Sequence, residues 1–511
     1  MGPTRKQEFT WLASILTSKI MRRLITKSAT AYFIILLLLS CDSFVDIKPE
    51  YALDAENYFN SPADYGKALI GAYQLLHSSY LGLFIGEIAS NNSISGGESI
   101  TDSQGLHQID AMTHGGVNGE LSNLFRYMYS GITRCNYIFE FKDKINFTGK
   151  DKVLAEAAFL RAYYYFELVK FFGDVPLVID KRLPASEVPS TPRTPVSQVY
   201  TQIEKDLQFA AGILNWTNPV IGRVTKGAAL ALLGKAYLYQ NKFDLAATTL
   251  DQVINQGGYG LFSDYSTMFR VVNEGNSETV FDIEYGASPG GDFGCFVCTS
   301  GFIAVGFQGV RGYKGPTYSS GFSYNLPTKS LVDEFEANDP RLKGSVLDIE
   351  AFKTANPTVT YTIGLGGHTG YYNNKYIKRA DEIGPNDNNL TSPVNHKVIR
   401  YADVLLMAAE AHNRKPSPND AQAILYLNQV RNRVSVAMPS INITGSALTT
   451  AIYHERRVEF AGEGLHFFDL VRTGRAATQI TGFLVGKNEL FPIPQAEIDL
   501  AGAGWKQNNG Y

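Results

Sequence analysis

Three glutamates near the C-terminus have the spacing that hydrolytic chemistry or metal binding uses. Glu455, Glu459 and Glu463 lie four residues apart, so on one helix they follow each other at intervals of about one turn. Two carboxylates placed in this way can act as a general acid and base or bind a cation. Arg456 and Arg457 stand between them, and adjacent guanidinium groups favour ionised, neutralised carboxylates. We therefore interpret the segment as an ion-paired helix rather than an active site.

Cys295 and Cys298 have the spacing of redox motifs and of one half of a zinc site. They lie in a glycine-rich region that lacks the strand–helix–strand context of redox-active cysteine pairs. A single pair supplies two of the four ligands that structural zinc takes, and the surrounding sequence contains no histidine. The pair is interpreted as a local disulfide or as two unreactive thiols.

Other signatures of catalysis are missing from the sequence. It contains no glycine-rich phosphate loop and no G-x-S-x-G nucleophile motif. Its 8 histidines are scattered singly, for example at His107, His114, His368 and His396. We therefore predict a binding protein that is not an enzyme and that uses no cofactor and no metal ion.

The predicted binding surface is the stretch 262–397. Glycine and aromatic residues alternate there, and short strands are predicted only at 279–285 and 358–363. Aromatic rings pack on the apolar faces of sugar rings, while Asn, Asp and Arg bond the hydroxyl groups. Trp216 and Trp505 lie outside this stretch. Stacking on this surface would therefore use Tyr or Phe, or Trp216 if the fold brings it there.

The N-terminus is predicted to be a lipoprotein signal. A basic segment that begins at Met21 precedes an apolar run at 31–39, and the sequence L-L-S-C, which ends at Cys41, has the form of a lipobox. Cleavage before Cys41 and acylation of its thiol would anchor the chain in a membrane. Residues 1–20 would then be an extension outside the working protein and 21–40 the signal peptide. The alternative is a plain secretory signal that is followed by a cysteine.

Removal of the leader makes the chain more acidic. The full sequence has a net charge of −3, and residues 1–40 hold six Lys or Arg but a single acidic residue. An acidic surface argues against nucleic acid as a partner. After residue 39 no stretch is predicted to cross a membrane.

Most of the chain outside 262–397 is predicted to form helical hairpins. The segment 226–254 has Leu233-Gly234, Tyr237, Ala246 and Leu250 at the diagnostic positions of a tetratricopeptide repeat. The other predicted elements are a hairpin at 401–433, a third hairpin formed by helices 155–172 and 196–214, helices at 64–77 and 121–141, and a long loop at 82–119.

The central helix carries a family resemblance. The stretch 153–178 is apolar on most sides up to residue 172, so other helices must cover it. Its wording A-E-A-x-F-L-R-A-Y-Y-Y-F, followed by F-G-D-V-P-L-V, closely resembles the hallmark helix of the SusD/RagB family of bacterial nutrient-binding lipoproteins. The motif I-x-x-E-R-R-V-E-F-x-x-E-G-x-x-F-F-D-L-V-R-T-G at 452–474 and the C-terminal E-L-F-P-I-P-Q-A-E-I-D-L and K-Q-N-N-G-Y resemble the same family.

The resemblance implies a mainly α fold. The scaffold would be built from tetratricopeptide-like helical hairpins, with a large irregular, loop-rich insertion that carries short strands. Residues 41–260 would form the SusD-like N-terminal helical part. Residues 261–511 would form the C-terminal part with the ligand-facing loops, in one compact unit with the first.

The resemblance also implies a function. Family members are lipid-anchored on the outer face of the outer membrane, where they capture oligosaccharides and deliver them to a SusC-like TonB-dependent transporter as its lid. A peptide or another non-glycan nutrient is the alternative ligand for the same architecture. A surface glycosidase and a tetratricopeptide adaptor for other proteins are the rival classes.

Ligand residues follow no fixed motif in this family, so the candidates come from the two loop regions. The residues chosen for hydrogen bonding are Asn91 and Asn92, and those chosen for stacking are Phe293, Phe296, Tyr313, Tyr318 and Tyr324. For each aromatic residue the alternative is a small local core beneath a loop.

Overall fold

The structure is a computed structural model that describes residues 58–288, 291, 293–382 and 390–511. Phe59–Tyr511 form one compact unit. The predicted leader and Cys41 lie outside the described residues.

The unit is mainly helical, which confirms the predicted fold class. The helices before the insertion are α1 (Pro62–Gln74), α2 (Tyr80–Ile88), α3 (Gln104–Asp110), α4 (Gly119–Glu140), α5 (Lys150–Phe172), α6 (Val196–Ile213), α7 (Lys226–Tyr239) and α8 (Phe243–Gln256). Those that follow are α9 (Ile303–Gln308), α10 (Lys329–Val332), α11 (Arg341–Ser345), α12 (Ile349–Ala355), α13 (Tyr401–Arg414), α14 (Asp420–Arg431), α15 (Gly445–Glu459), α16 (His466–Arg472), α17 (Ala476–Gln479) and α18 (Gln495–Ala501).

The strands are short and pair two by two. They are β1 (Ser93–Gly96), β2 (Thr279–Ile283), β3 (Tyr324–Pro327), β4 (Val346–Asp348), β5 (Tyr371–Asn373) and β6 (His396–Arg400). The antiparallel pairs are β1 with β3, β2 with β6, and β4 with β5. Strand β2 confirms the strand predicted at 279–285. The strand predicted at 358–363 is wrong, because only Thr360 forms an isolated bridge there, with Lys314.

The long helices stack in chain order, as in a tetratricopeptide scaffold. Helix α4 packs on α5, α5 on α6, α6 on α7 and α7 on α8. Helix α8 then packs on α13, and α13 on α14. The segment 257–400 is therefore an insertion between two helices that contact each other.

The contact between α7 and α8 depends on Gly234. A Cβ atom at this position would lie 2.6 Å from the side chain of Leu250. These are the two positions that the repeat pattern marks in the sequence, and any side chain at Gly234 would push the helices apart.

Helix α5 is buried on nearly all sides, polar residues included. Arg161 donates from Nε and Nη2 to the two carboxylate oxygens of Asp206 on α6, both at 2.8 Å. Nη1 of the same guanidinium donates to Asn136 on α4 at 3.1 Å. Gly173, with a φ of 69°, ends the helix where the sequence predicts. The bidentate ion pair thus fixes α5 against α6, and the hydrogen bond to Asn136 fixes it against α4.

The segment 82–119 is not the long loop that its sequence predicts. It contains most of α2, all of β1 and α3. Leu83, Phe84, Ile85 and Ile88 of α2 are all buried, so this short helix has no polar face and no helical periodicity. The sequence analysis predicted no membrane-crossing stretch after residue 39, but Pro62–Ile88 is long and apolar enough to cross a membrane. Of its most apolar 18 residues, however, 61% are buried inside the fold. This stretch is a core element of the unit.

The three glutamates of the C-terminal motif are buried in ion pairs. Glu459, the last residue of α15, accepts hydrogen bonds from Arg400 at 2.9 Å, Arg433 at 2.7 Å and Arg341 at 3.1 Å. None of these four side chains is more than 1% exposed. Burial raises the pKa of Glu459, but the guanidinium groups overcome this effect and lower it to about 2. Glu459 is therefore an ionised structural residue.

The two flanking glutamates have similar surroundings. Glu455 pairs with Arg341 and with Arg431, the latter at 2.7 Å. Glu463 pairs with Lys375 at 2.6 Å and with Arg400 at 2.7 Å. These contacts confirm the ion-paired interpretation of the motif.

The prediction that Arg456 and Arg457 neutralise these glutamates is wrong, however. Arg456 pairs instead with Asp403 and Asp469, each at 2.8 Å, and Arg457 pairs with Glu334 at 2.6 Å. Successive residues of a helix point about 100° apart, so adjacent side chains reach different partners. The cations that neutralise the glutamates come from distant parts of the chain.

Replacement of Arg161 by Met should lower the free energy of unfolding by about 3–5 kcal/mol, because the Asp206 carboxylate would stay buried without its partner. Chemical denaturation followed by circular dichroism measures the change. The control is Arg182→Met, since the pair of Arg182 with Glu140 is partly exposed and such pairs contribute about 1 kcal/mol or less. Equal losses for both variants would contradict the assigned role of the buried pair.

Replacement of Glu459 by Gln should cost about 3–5 kcal/mol of stability, because buried guanidinium groups would lose their counter-charge. Since the folded-state pKa of about 2 lies below the usual glutamate value, the contribution is complete above pH ~4.5 and is lost as the pH falls toward 2. The variant should therefore lose less stability on acidification than the unmodified chain. Asp333→Asn, at a side chain that is 58% exposed, should change little and serves as the control. An unfolding free energy that is unchanged in Glu459→Gln at pH 7 would disprove the role.

Candidate functional site

A group of aromatic rings from the insertion reaches the surface. We call it the aromatic platform, and its members are Phe293, Phe296, Phe307, Phe322 and Tyr324. The ring centroid of Phe307 lies 5.5 Å from those of Phe296, Phe322 and Tyr324. Phe293 lies on the outer side, 6.2 Å from Phe296 and 6.1 Å from Phe322. These spacings are those of edge-to-face and tilted aromatic contacts, so the rings form one continuous surface.

Exposure changes across the platform. Phe293 is 61% exposed, whereas Tyr324 is 3% exposed. Phe296, Phe307 and Phe322 are half-buried. The platform therefore offers ring surface to a ligand on one side and is anchored in the core on the other.

Helix α2 supports the platform from below. The ring of Tyr80 lies 5.9 Å from that of Phe296, and the ring of Phe84 lies 6.2 Å from that of Phe307. The structure joins Cys295 and Cys298 in a disulfide, the first of the two alternatives from the sequence. This bridge closes the short helical turn that carries Phe296. Both features limit the freedom of the loop that presents the rings.

A loop from the N-terminal half contacts the inner edge of the platform. A Cβ atom at Gly97 would lie 2.6 Å from the ring of Tyr324, and Gly97 has a φ of 90°. Only glycine allows this backbone to lie on the ring. Ser103 donates a hydrogen bond to the Tyr324 hydroxyl at 3.2 Å. Burial raises the pKa of Tyr324, and nearby Asp102 adds to the effect. The hydroxyl is therefore neutral at physiological pH.

Polar groups lie beside the rings. Arg311 Nη2 donates to the carbonyl oxygen of Phe322 at 3.0 Å, and Nη1 lies 3.5 Å from Glu98 Oε2. The Nε atom of Arg311 has no hydrogen-bond partner among the described residues. The Glu98 side chain is 75% exposed, and Leu365, whose N–H donates to the Glu98 carbonyl oxygen at 2.8 Å, is 84% exposed. Apolar ring faces next to a guanidinium and a carboxylate suit a ligand with both apolar faces and hydroxyl groups.

Three of the predicted stacking residues belong to the platform. Phe293 and Phe296 lie on its exposed side, so the structure leaves both available for a ligand. Tyr324 lies at the buried edge and supports the other rings. Its ligand role is corrected to a supporting one, because its ring is covered by Gly97.

The other two predicted stacking residues lie in the interior. Tyr313 and Tyr318 are 6% and 8% exposed, and both belong to a core cluster with Val310 and Tyr372. Both rings therefore fit the alternative to ligand stacking, a small local core beneath a loop. Their rings offer almost no surface to a ligand.

The two predicted hydrogen-bonding residues lie away from the platform. Asn92 is fully buried and accepts a hydrogen bond from Arg457 Nε at 3.1 Å. Asn91 is half-buried, and its amide nitrogen lies 3.4 Å from the carbonyl oxygen of Gln479 and from Thr481. Both amides connect the N-terminal half to C-terminal segments.

The prediction missed Phe307, Phe322, Arg311 and Glu98. The two phenylalanines stand in the glycine–aromatic alternation that marked the insertion, but that pattern does not separate exposed rings from buried ones. No motif marks Arg311 or Glu98. Within the described ranges no three His, Cys, Asp or Glu side chains come together in a way that could hold a metal ion.

Two family models match the chain. The model of the SusD family matches residues 263–488, and a model described as starch-binding associating with outer membrane matches residues 43–238. The SusD-like protein P2 of Formosa agariphila is 27% identical, over 95% of this chain and 100% of that protein.

Solved structures agree with these matches. A laminarin binding SusD-like protein is 33% identical, with a TM-score of 0.80, over 88% of this chain and 99% of that one. Surface glycan-binding protein A from Bacteroides thetaiotaomicron, in complex with laminarihexaose, is 25% identical, with a TM-score of 0.78 and the same coverage. The two family matches, the shared fold and the similarity over nearly whole chains lead to one conclusion: this chain belongs to the SusD family.

Proposed function

We propose that this protein is a cell-surface lipoprotein that captures oligosaccharides on the aromatic platform. The observation that carries the proposal is the exposed side of the platform, with Arg311 and Glu98 beside it. Phenyl rings pack against the apolar faces of sugar rings, and the two charged groups donate to and accept from hydroxyl groups. The laminarin and laminarihexaose ligands of two relatives support a β-glucan of this kind as the first ligand to test.

The open shape of the platform favours a glycan over the peptide alternative. A peptide-binding relative would enclose its ligand in a deep cavity, whereas the side chain of Phe293 is 61% exposed. An open surface can hold the middle of a long polysaccharide, whose ends extend into solvent. Peptides and other non-glycan nutrients remain the second candidate.

The family membership supports the rest of the proposal. Acyl chains on Cys41 would anchor the protein to the outer membrane with the platform facing the exterior, and a SusC-like TonB-dependent transporter would receive the oligosaccharide. The protein would act as the lid of that transporter. We propose no enzymatic activity, since the carboxylates of the C-terminal motif are enclosed in ion pairs.

Laminarin in a native gel should retard the protein, and the double replacement Phe293→Ala and Phe296→Ala should weaken binding at least tenfold, which corresponds to about 1.4 kcal/mol. Affinity electrophoresis on a panel of polysaccharides measures the retention. Phe209→Ala is the control, because Phe209 is an exposed phenylalanine of helix α6, at 40%. Absence of retention on every polysaccharide, together with heat released by a peptide mixture in calorimetry, would replace the glycan by the peptide alternative.

Replacement of Cys41 by Ala should release the protein from the membrane, because the thiol that receives the acyl chains is lost. Fractionation of cells that express the full sequence, followed by immunoblotting, measures the distribution. Cys135→Ala, at a buried free cysteine, is the control and should stay in the membrane fraction. A Cys41→Ala protein that remains membrane-bound would rule out the lipid anchor.

A further inference from the structure

A cavity lies on the helical scaffold, outside the insertion that carries the platform. It is bounded by α4, by the connector that follows α5 and by the segment around α18, and its volume is about 450 Å³. This size is within the range of small-molecule sites, roughly 300–1,000 Å³. We call it the α4 cleft. Its elements contribute no residue to the aromatic platform.

One wall of the α4 cleft is aromatic and held in position. Trp505 is 7% exposed, and its Nε1 donates to the carbonyl oxygen of Thr191 at 2.7 Å. The hydroxyl of Tyr129 donates to the carbonyl oxygen of Pro176 at 2.8 Å, and the ring of Phe125 lies 4.8 Å from that of Tyr129. Both polar ends are already bonded, so the wall is held in a fixed orientation. The half-buried ring of Tyr129 offers its apolar surface to the cleft, and the buried rings of Phe125 and Trp505 support it.

The cleft also contains two charged groups with unused bonding capacity. No described residue forms a hydrogen bond or ion pair with the Glu497 carboxylate, which lines the cleft and is half-buried. Burial raises the pKa of Glu497, and Arg126 opposes this rise. Arg126 is exposed, and its Nη2 donates a hydrogen bond to the side-chain oxygen of Asn123 at 2.9 Å. The remaining N–H groups of its guanidinium are free to meet a ligand.

We propose that the α4 cleft is a second saccharide site that takes one or two sugar rings. A sugar hydroxyl both donates and accepts, so neighbouring hydroxyls can bond Glu497 and Arg126 at once. A cation would face the guanidinium groups of Arg126 and Arg134, which both line the cleft, and an anion would face the Glu497 carboxylate. A purely apolar ligand would leave Glu497 and Arg126 unpaired. An apolar face of the sugar would lie on the half-buried ring of Tyr129, close to Trp505, which lines the same cleft. This site is independent of the platform and of the proposed function.

Tryptophan fluorescence can report binding in the cleft separately, because the chain from Asp42 onward has two tryptophans and one of them, Trp505, lines the cleft. Trp216 lies elsewhere, beside Lys226, and Trp216→Phe would leave Trp505 as the single indole. Titration of this variant with laminaribiose, cellobiose, maltose, lactose and laminarihexaose at millimolar concentrations should give a saturable change in Trp505 fluorescence with at least one of them. Arg126→Ala and Glu497→Gln should each weaken that response at least tenfold. Asp499→Asn, an exposed change on the same helix α18, is the matched control and should leave the response as it is.

The outcomes separate this site from the platform. Phe293→Ala with Phe296→Ala should weaken retention on polysaccharide gels at least tenfold and leave the Trp505 titration unchanged. Absence of a fluorescence change with every saccharide would overturn the second site, whatever the gels show. A change that persists undiminished in Arg126→Ala and Glu497→Gln would place the sugar elsewhere and would also overturn it.

Discussion

The fold depends on one requirement, that every charge buried where the insertion meets the scaffold must find an opposite charge. Glu459 at the end of α15 satisfies this requirement with Arg341 from the insertion, Arg400 at the start of α13 and Arg433 after α14. Glu278, beside β2, completes the group by pairing with Arg400 and Arg433. An unpaired member would cost several kcal/mol, so the group is stable only when all these segments are in place together.

This requirement explains how a loop-rich insertion can present a defined surface. The insertion has short strands and short helices, and regular structure alone would not hold its loops. Its base is fixed by the buried ion pairs, its middle by ring contacts between α2 and the platform, and its outer loop by the disulfide of Cys295 and Cys298. A surface held in this way loses little conformational entropy when a ligand binds, and this favours affinity.

The scaffold and the insertion contribute to recognition in different ways. Helices α4 to α8, followed by α13 and α14, cover each other in order, and the direct contact of α8 with α13 leaves the insertion outside the stack. The platform therefore lies on a part of the chain outside the helical stack. The α4 cleft, by contrast, lies on the scaffold itself. Irregular segments near Pro176 and Trp505 cover one face of α4 and leave a space between them.

The sequence by itself determined the features that arise from contacts a few residues apart. Helix α5 and its end at Gly173 could be predicted because helical spacing decides which side chains share a face, regardless of the rest of the chain. The repeat pattern predicted the hairpin marked by Gly234 and Leu250. The choice of an ion-paired helix over a catalytic pair was right, although the neighbouring arginines are not the partners. The fold class could be predicted from the motifs that resemble the SusD/RagB family.

Only the tertiary structure decided which residues meet across long separations. Phe293 and Tyr318 stand in similar glycine-rich surroundings, yet one is 61% and the other 8% exposed, because exposure depends on which distant segments pack on a ring. The arginines that neutralise Glu459 likewise come from positions that no local spacing connects to it.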